Sequence, residues 1–367
     1  MSGRGLLGRV VTSRLGAAVS RFCPGTPVWE REWDICCVLD GCRVDLMREV
    51  AGEHRAVPGG SVESVWSVGS QSAEWMDVTF GPAHREELAR TAYVTGNPFT
   101  AQSADHVLVT SGETLPLDPD EWGLLYEAWR EEWVDDRIST IPPDPLTDAA
   151  LAVWNRRAEL GVDRVLVHYM QPHAPFRSRP EWFLGTADIE SWGQIRGSGQ
   201  NGGDDSESQA AETAALTELS PEELAELERL SEAETDGIKD PWTRLRDGEL
   251  PREEFWAAYR DNLRWVLDDV ARLLEGTTAR VALTSDHGNA AGEWGVWSHP
   301  PGVPIPALRK VPWVSRRGTG ERNPHPPLPE AIAGAGDRAR EDRNDETADG
   351  AGVDDGVEER LADLGYR

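Results

Sequence analysis

Residues 279–288 read ARVALTSDHG. A short apolar run ends here in an acid and a histidine, with a glycine behind them. A run this short, apolar throughout and rich in branched residues suits a strand covered on both faces, as in a parallel sheet. Two other stretches have the same form, Trp33 to Asp40 (WDICCVLD) and Val162 to Met170 (VDRVLVHYM). Weaker strands are expected at Thr91 to Thr95 (TAYVT) and His106 to Ser111 (HVLVTS). Helical patterns lie between them. Glu121 to Val134 is rich in Trp and Glu, and Thr147 to Leu160 opens on Thr147 as a cap. Pro251 to Glu275 places Phe255, Tyr259, Leu263, Val266, Leu267, Val270 and Leu274 at helical spacing. Strand alternating with helix predicts an α/β fold, with a mainly parallel central sheet and helices on both faces.

The chain has 367 residues with 65 acidic and 37 basic side chains, a net charge of −28. So acidic a protein is repelled by nucleic-acid backbones and by anionic membranes. Lysine occurs only at Lys239 and Lys310; every other cation is Arg. A surface rich in acid and poor in Lys fits a protein hydrated in molar salt, where the Debye length is about 3 Å. A salt-adapted, haloarchaeal cytoplasm is the expected setting, at most peripheral to a membrane. Four Cys in this length make no disulfide scaffold; Cys36, Cys37 and Cys42 read as buried free thiols. No apolar run reaches the length of a transmembrane helix.

Four segments are expected. Residues 1–30 are an amphipathic or flexible arm, and 31–315 are the α/β domain. Within the domain an acidic, Gly- and Ser-rich insertion covers about 197–240, with a helix start at Ser220-Pro221-Glu222-Glu223. Residues 316–356 read as a disordered tail, and 357–367 recover a helical pattern.

Ligands of open α/β sheets bind beyond the carboxyl ends of the strands. The first strong strand ends in Asp40-Gly41-Cys42-Arg43-Val44-Asp45. The second ends in His168-Tyr169-Met170-Gln171-Pro172-His173-Ala174-Pro175-Phe176. The third ends in Ser285-Asp286-His287-Gly288, with Gly292-Glu293 and His299 following. Metal-ligand residue types on three separate strand ends point to a metal centre. His168, inside its strand, reads as a satisfied core histidine rather than a ligand.

These three segments resemble the metal-binding strand, the His-x-Pro-Phe/Tyr segment and the Asp-His-Gly motif of the alkaline phosphatase/sulfatase superfamily, in its sulfatase-like branch. The match runs from about Asp34 to Pro312. The resemblance implies a divalent metal (Mn, Mg, Ca or Zn) held by Asp40, Asp286 and His287, with a nucleophile bound to it. It also implies that His173 and His299 contact the transferred group or a second metal. Ser67-Val68-Gly69-Ser70-Gln71-Ser72 resembles the nucleophile segment of the superfamily. Ser72 takes the nucleophile position at the start of a helix Ala73 to Phe80, with Ser70 as runner-up; the plainer alternative is that Ser72 only caps that helix. No Cys-x-Pro-x-Arg occurs, so the formylglycine route of sulfatases is absent. Tyr169 stands where two-zinc members carry an Asp, which favours one metal.

The expected activity is therefore hydrolysis or transfer of a phosphate ester, less so a sulfate ester, through a metal-activated Ser72. His173, His299 and either Arg43 or Arg177 would stabilise the transferred group. Arg43 has a second reading, as a clamp beside Asp40 and Asp45. Glu293 reads equally as a partner of His287 or His299 and as a plain surface acid. A metal-binding pseudoenzyme and a serine-type sulfatase remain alternatives. The expected substrate is a small-molecule, glycan-linked or lipid-linked ester, and no nucleic acid. The metal with Arg43, His173 and His299 is the one positive centre the sequence suggests for it. Trp66, Trp75, Trp294 and Trp297, beside the motifs, read as core or as the lining of a pocket.

Overall fold

The computed structural model describes residues 25–103, 122–131, 140–183, 239–322 and 324–332. Residues up to Pro326 form one compact unit, and Pro327–Arg367 a second, of which only the first few residues are described. The N-terminal helix over Met1 to Phe22, the strand His106 to Ser111, the insertion up to 238 and the helix over 357–367 lie outside the described residues.

In chain order the principal elements are β1 (Ile35–Leu39), α1 (Val44–Val50), β2 (Glu63–Trp66), α2 (Ser72–Thr79) and β3 (Thr91–Thr95). Then come β4 (Leu124–Glu127), α3 (Pro143–Asn155), β5 (Arg164–Tyr169), α4 (Arg252–Gly276) and β6 (Arg280–Thr284). The last are β7 (Ala290–Ala291), β8 (Trp297–Ser298) and β9 (Lys310–Arg317). Seven strands form one sheet in the order β2-β9-β6-β1-β5-β3-β4. The five from β6 to β4 are parallel; β9 runs antiparallel to both β6 and β2. The fold class is thus the one the alternating pattern predicts. All five residues of β1 are fully buried, as a central strand covered on both faces requires. Its thiols Cys36 and Cys37 are free and buried, and so is Cys42. Strand β1 sits between β5 and β6, with Val38 registered to both His168 and Thr284. The three ligand-type strand ends are therefore neighbours in space. In α4 the residues at helical spacing, Phe255 to Leu274, are buried, and the helix packs against α3 and α1.

Three expectations are corrected. The stretch Glu121 to Val134 is not a helix where it is described. Leu124–Glu127 is a strand, paired in parallel with β3 (Ala92 to Leu124, Thr95 to Glu127), and a 3₁₀ turn follows at Ala128–Arg130. The open edge of β3 supplies backbone partners that outweigh a weak helical preference. Thr147 is no cap: α3 begins at Pro143, whose ring presets the first turn. Thr147 lies one turn inside, its hydroxyl 3.2 Å from the Pro143 carbonyl and 2.9 Å from the Tyr169 hydroxyl. The region read as a tail from residue 316 begins inside β9, since Arg316 and Arg317 pair with Val281 and Arg280.

Candidate metal centre

Asp40 follows β1 directly, Asp286 and His287 follow β6, and Ser72 is the first residue of α2. Asp40, Asp286 and His287 are buried, and one ligand atom from each lies within 4.8 Å of the others. Among the described residues they are the one group of three or more His, Cys, Asp or Glu so arranged. The turns that present them need glycine in two different ways. Gly41 has φ +65°, and a Cβ there would lie 2.6 Å from the Asn289 amide nitrogen. Gly288 keeps an ordinary φ, but a Cβ would meet the Ala307 carbonyl.

The Asp286 carboxylate is held from several sides. Its Oδ1 accepts from the Gly41 amide at 3.0 Å, from the His287 amide at 2.9 Å and from the Ser285 hydroxyl at 3.2 Å. Its Oδ2 accepts from the Ser72 hydroxyl at 2.7 Å. Burial pushes the Asp286 carboxyl up, but the His287 and His168 imidazoles and the Ser72 hydroxyl outweigh it and hold it well below the ordinary carboxylate range. The Ser72 oxygen is also 3.3 Å from Asp40 Oδ2 and 3.3 Å from His287 Nε2. Ser72 does not cap α2: Gln71 is the cap residue, and no side chain makes a capping bond. The Ser72 hydroxyl is turned to the acids instead. Ser70 points elsewhere, toward Glu74 Oε2 at 2.7 Å and the Pro300 carbonyl at 3.1 Å.

The donor set fits a divalent cation. Asp40 Oδ1 is buried with no hydrogen-bond partner. It lies 3.6 Å from His287 Nε2, while His287 Nδ1 donates to the Gly288 carbonyl at 2.9 Å. That bond fixes the tautomer and leaves an Nε2 lone pair facing the acids. Two buried carboxylates, one orphaned oxygen and one imidazole lone pair make a site that a cation would complete.

His173 and His299 form a second group beside the first. Their Nε2 atoms are 2.9 Å apart, and His173 Nδ1 donates to the Ala174 carbonyl at 2.7 Å. The rings of His299 and His287 are 4.7 Å apart. Burial, with His287 and His173 beside it, pushes the His299 imidazole well below its usual value. Tyr169 brings no ligand here; its hydroxyl bonds Thr147.

Arg43 takes the clamp reading. Its Nε and Nη2 grip Asp45 at 2.8 and 2.6 Å, and its Nη1 donates to the Asn289 carbonyl at 2.8 Å and to Glu293 at 2.9 Å. The guanidinium also lies 4.9 Å over the Trp256 ring. The contacts to Asn289 and Glu293 fasten the turn after β1 to the loop after β6. Glu293 is no partner of His287 or His299: it holds Arg43, Arg252 and the Ala291 amide. Arg177 packs 4.7 Å over Trp265. Trp75 is core, and Trp294 is 84% exposed.

Two residues at the centre were missed or misread from sequence. Asn97, buried two residues past β3, donates to Asp40 Oδ2 at 2.8 Å. Its signal is its place just after a strand. His168 is not merely a core histidine. Its Nδ1 faces the Tyr93 hydroxyl at 2.9 Å, and its Nε2 stands 3.6 Å from both Asp40 Oδ2 and Asp286 Oδ2. Burial would lower the His168 imidazole; Tyr93, Asp286 and Asp40 outweigh burial and hold it well above the usual histidine value.

No protein-family model matches the chain, and no curated protein matches it. Solved structures similar to it include phosphoethanolamine transferases. One is the integral membrane lipooligosaccharide phosphoethanolamine transferase EptA of Neisseria meningitidis, with TM-score 0.40 and 12% identity. That match covers 78% of this chain and 47% of the other, so the chain spans about half of that enzyme's length. The soluble domain of the same enzyme gives TM-score 0.38 and 13% identity over 78% of this chain and 76% of that one. The periplasmic domain of EptC from Escherichia coli, in complex with Zn, gives 0.40 and 10% over 81% and 76%. No described helix is long and apolar enough to cross a membrane.

Proposed function

We propose that the chain is a divalent-metal-dependent enzyme that hydrolyses or transfers a phosphate ester with Ser72 as nucleophile. One observation carries the reading. The buried Ser72 hydroxyl lies 2.7 Å from Asp286 Oδ2 and 3.3 Å from both Asp40 Oδ2 and His287 Nε2, beside the orphaned Asp40 Oδ1.

Asp40, Asp286 and His287 would hold the metal, which when bound lowers the proton affinity of a neighbouring hydroxyl and neutralises phosphoryl oxygens. The chain's own residues do the rest. The Ser72 proton is held at Asp286 Oδ2, which leaves lone pairs of Oγ for attack on phosphorus. The first turn of α2 favours the negative charge that grows on that oxygen. As the bond from Oγ to phosphorus forms and its proton passes to Asp286 Oδ2, the bond to the ester oxygen breaks, and the departing oxygen takes a proton from solvent water beside the His173–His299 pair. Water or an acceptor alcohol then reverses the sequence and frees Ser72. Arg43 acts only as a positioning residue. It holds the Asp40 turn against the Asp286 loop.

The test is turnover of phosphomonoesters, phosphodiesters and sulfate esters in high salt with Mn, Mg, Ca or Zn supplied. Ser72→Ala should lower kcat/KM by about 10³-fold or more, as removal of a nucleophile does. Asp286→Ala with His287→Ala should abolish bound metal by elemental analysis. Activity surviving the first change sinks the nucleophile, and metal surviving the second sinks the centre. A preference for sulfate esters would move the reading to a serine-type sulfatase.

A further inference from the structure

A second positive centre lies at the opposite end of the sheet, one the sequence did not suggest. Arg280 opens β6, Arg317 closes β9, and the two are register partners across the antiparallel pair. With Arg31 and Arg316 they line a cleft of about 480 Å³, together with Trp313 and Glu32. Arg31 is seated 4.9 Å over the Trp313 ring. The cleft faces the start of β6, whereas Asp286 and His287 follow its end. At about 3.3 Å per residue, the five residues of β6 put roughly 17 Å between the two.

How the four guanidinium groups are engaged decides what the cleft can do. Arg280 forks onto Asp34 at 2.8 Å and reaches Glu32 at 2.8 Å; Arg31 reaches Glu63 at 3.0 Å. The Glu32 and Glu63 side chains are 89% and 64% exposed, so these are surface ion pairs that a competing anion can replace. Arg316 donates Nη1 to the Arg55 and Ala56 carbonyls, and Arg317 donates Nη1 to the Thr278 carbonyl. Neither pairs with a carboxylate among the described residues. Arg317 also acts on Asp34, which Arg280 holds, so four guanidinium groups face the three carboxylates of Asp34, Glu32 and Glu63, and on a protein of net charge −28 that surplus of one cation is a local positive centre.

We propose that this cleft binds a phosphate-class dianion, either inorganic phosphate or the phosphate of a monoester. The planar forks of arginine match a tetrahedral oxyanion, and four arginines line one opening. The incoming oxygens take the donors that Arg31 and Arg280 release from Glu63 and Glu32, and the remaining nitrogens of Arg316 and Arg317.

Calorimetric titration of inorganic phosphate tests this, with a chelator present and at the lowest salt that keeps the circular dichroism spectrum native. The wild-type protein is compared with Arg316→Gln/Arg317→Gln, and with the single Arg317→Gln as the milder variant. The expected result is saturable binding to wild type. It weakens about tenfold or more in the double variant and falls as salt is raised. Glycerol phosphate in a parallel titration separates the sources: equal affinity means the phosphate alone is read, and tighter binding means a monoester is the occupant. Absence of saturable binding, or equal affinity in wild type and both variants, overturns the proposal. The catalytic centre is the same in all three proteins, so the outcome does not depend on the function proposed for it.

Discussion

Oδ1 of Asp40 is a buried carboxylate oxygen without a hydrogen-bond partner, and its fellow oxygen is held by Asn97. An amide that donates to a ligand carboxylate sets its direction, and losing such a partner typically costs 10–100-fold in metal affinity. Asn97→Ala should therefore weaken metal binding by about that factor, measured by competition with a chelator, with an unchanged circular dichroism spectrum. Unchanged affinity would mean that Asn97 only fills space. Asp40, Asp286 and His287 were legible in the sequence because each sits at a strand end, where local order alone presents a side chain, and Ser72 was legible only through the resemblance of its segment to the nucleophile segment of the superfamily. Asn97 and His168 were not. Asn97 follows a strand too weak to stand out. His168 reaches the acids only because β5 lies against β1, a pairing that no local pattern states.

Helix α2 carries more than Ser72. Asp77 lies within it, and its carboxyl is pushed up to about 6, first by burial and then by Glu74. An acid whose folded value is raised binds its proton more tightly folded than unfolded. It therefore stabilises the fold at low pH and costs stability as pH rises from about 4 through 6. Asp77→Asn should remove that slope and raise stability at pH 7 by on the order of 1 kcal/mol, a figure reduced for the half-exposed position. Denaturant unfolding at pH 4 and pH 7 measures it; equal effects at both would contradict the assignment. The elements also show why some segments could be read and others not. Strands β1, β5 and β6 announce themselves as buried apolar runs. Strand β4 (LLYE) is too short for a period to show, and only the free edge of β3 makes it a strand. In β9 the run VPWV ends in SRR, so the composition reads as tail while the pairing with β6 makes it sheet.

The charge of −28 acts on the whole molecule. Surface pairs such as Arg90 with Asp163 contribute about 0–1 kcal/mol each and weaken in salt. The repulsion among uncompensated acids also weakens in salt, and it is the larger quantity here because acids outnumber bases 65 to 37. Raising KCl from about 0.1 to 2 M shortens the Debye length from about 10 Å to under 3 Å. The thermal midpoint should rise by about 5 °C or more, the equivalent of roughly 2 kcal/mol in a domain of this size. A flat or falling midpoint across that range would show that the ion pairs outweigh the repulsion.

The central place of β1 also sets when the protein becomes competent as it is made. The Gly41 amide and the Asp286 carboxylate that it holds are 245 residues apart in the chain. Ribosomes add about 5–20 residues per second, so the first strand waits roughly 10–50 s for its partner β6. Through that interval the nascent chain carries Asp40 and Ser72 but no centre, and the edge of ICCVL that β6 will cover stays open. A chain stalled before residue 280 thus lacks the assembled centre and exposes a strand that is fully buried once folded, which makes that strand the place where a chaperone would be needed first.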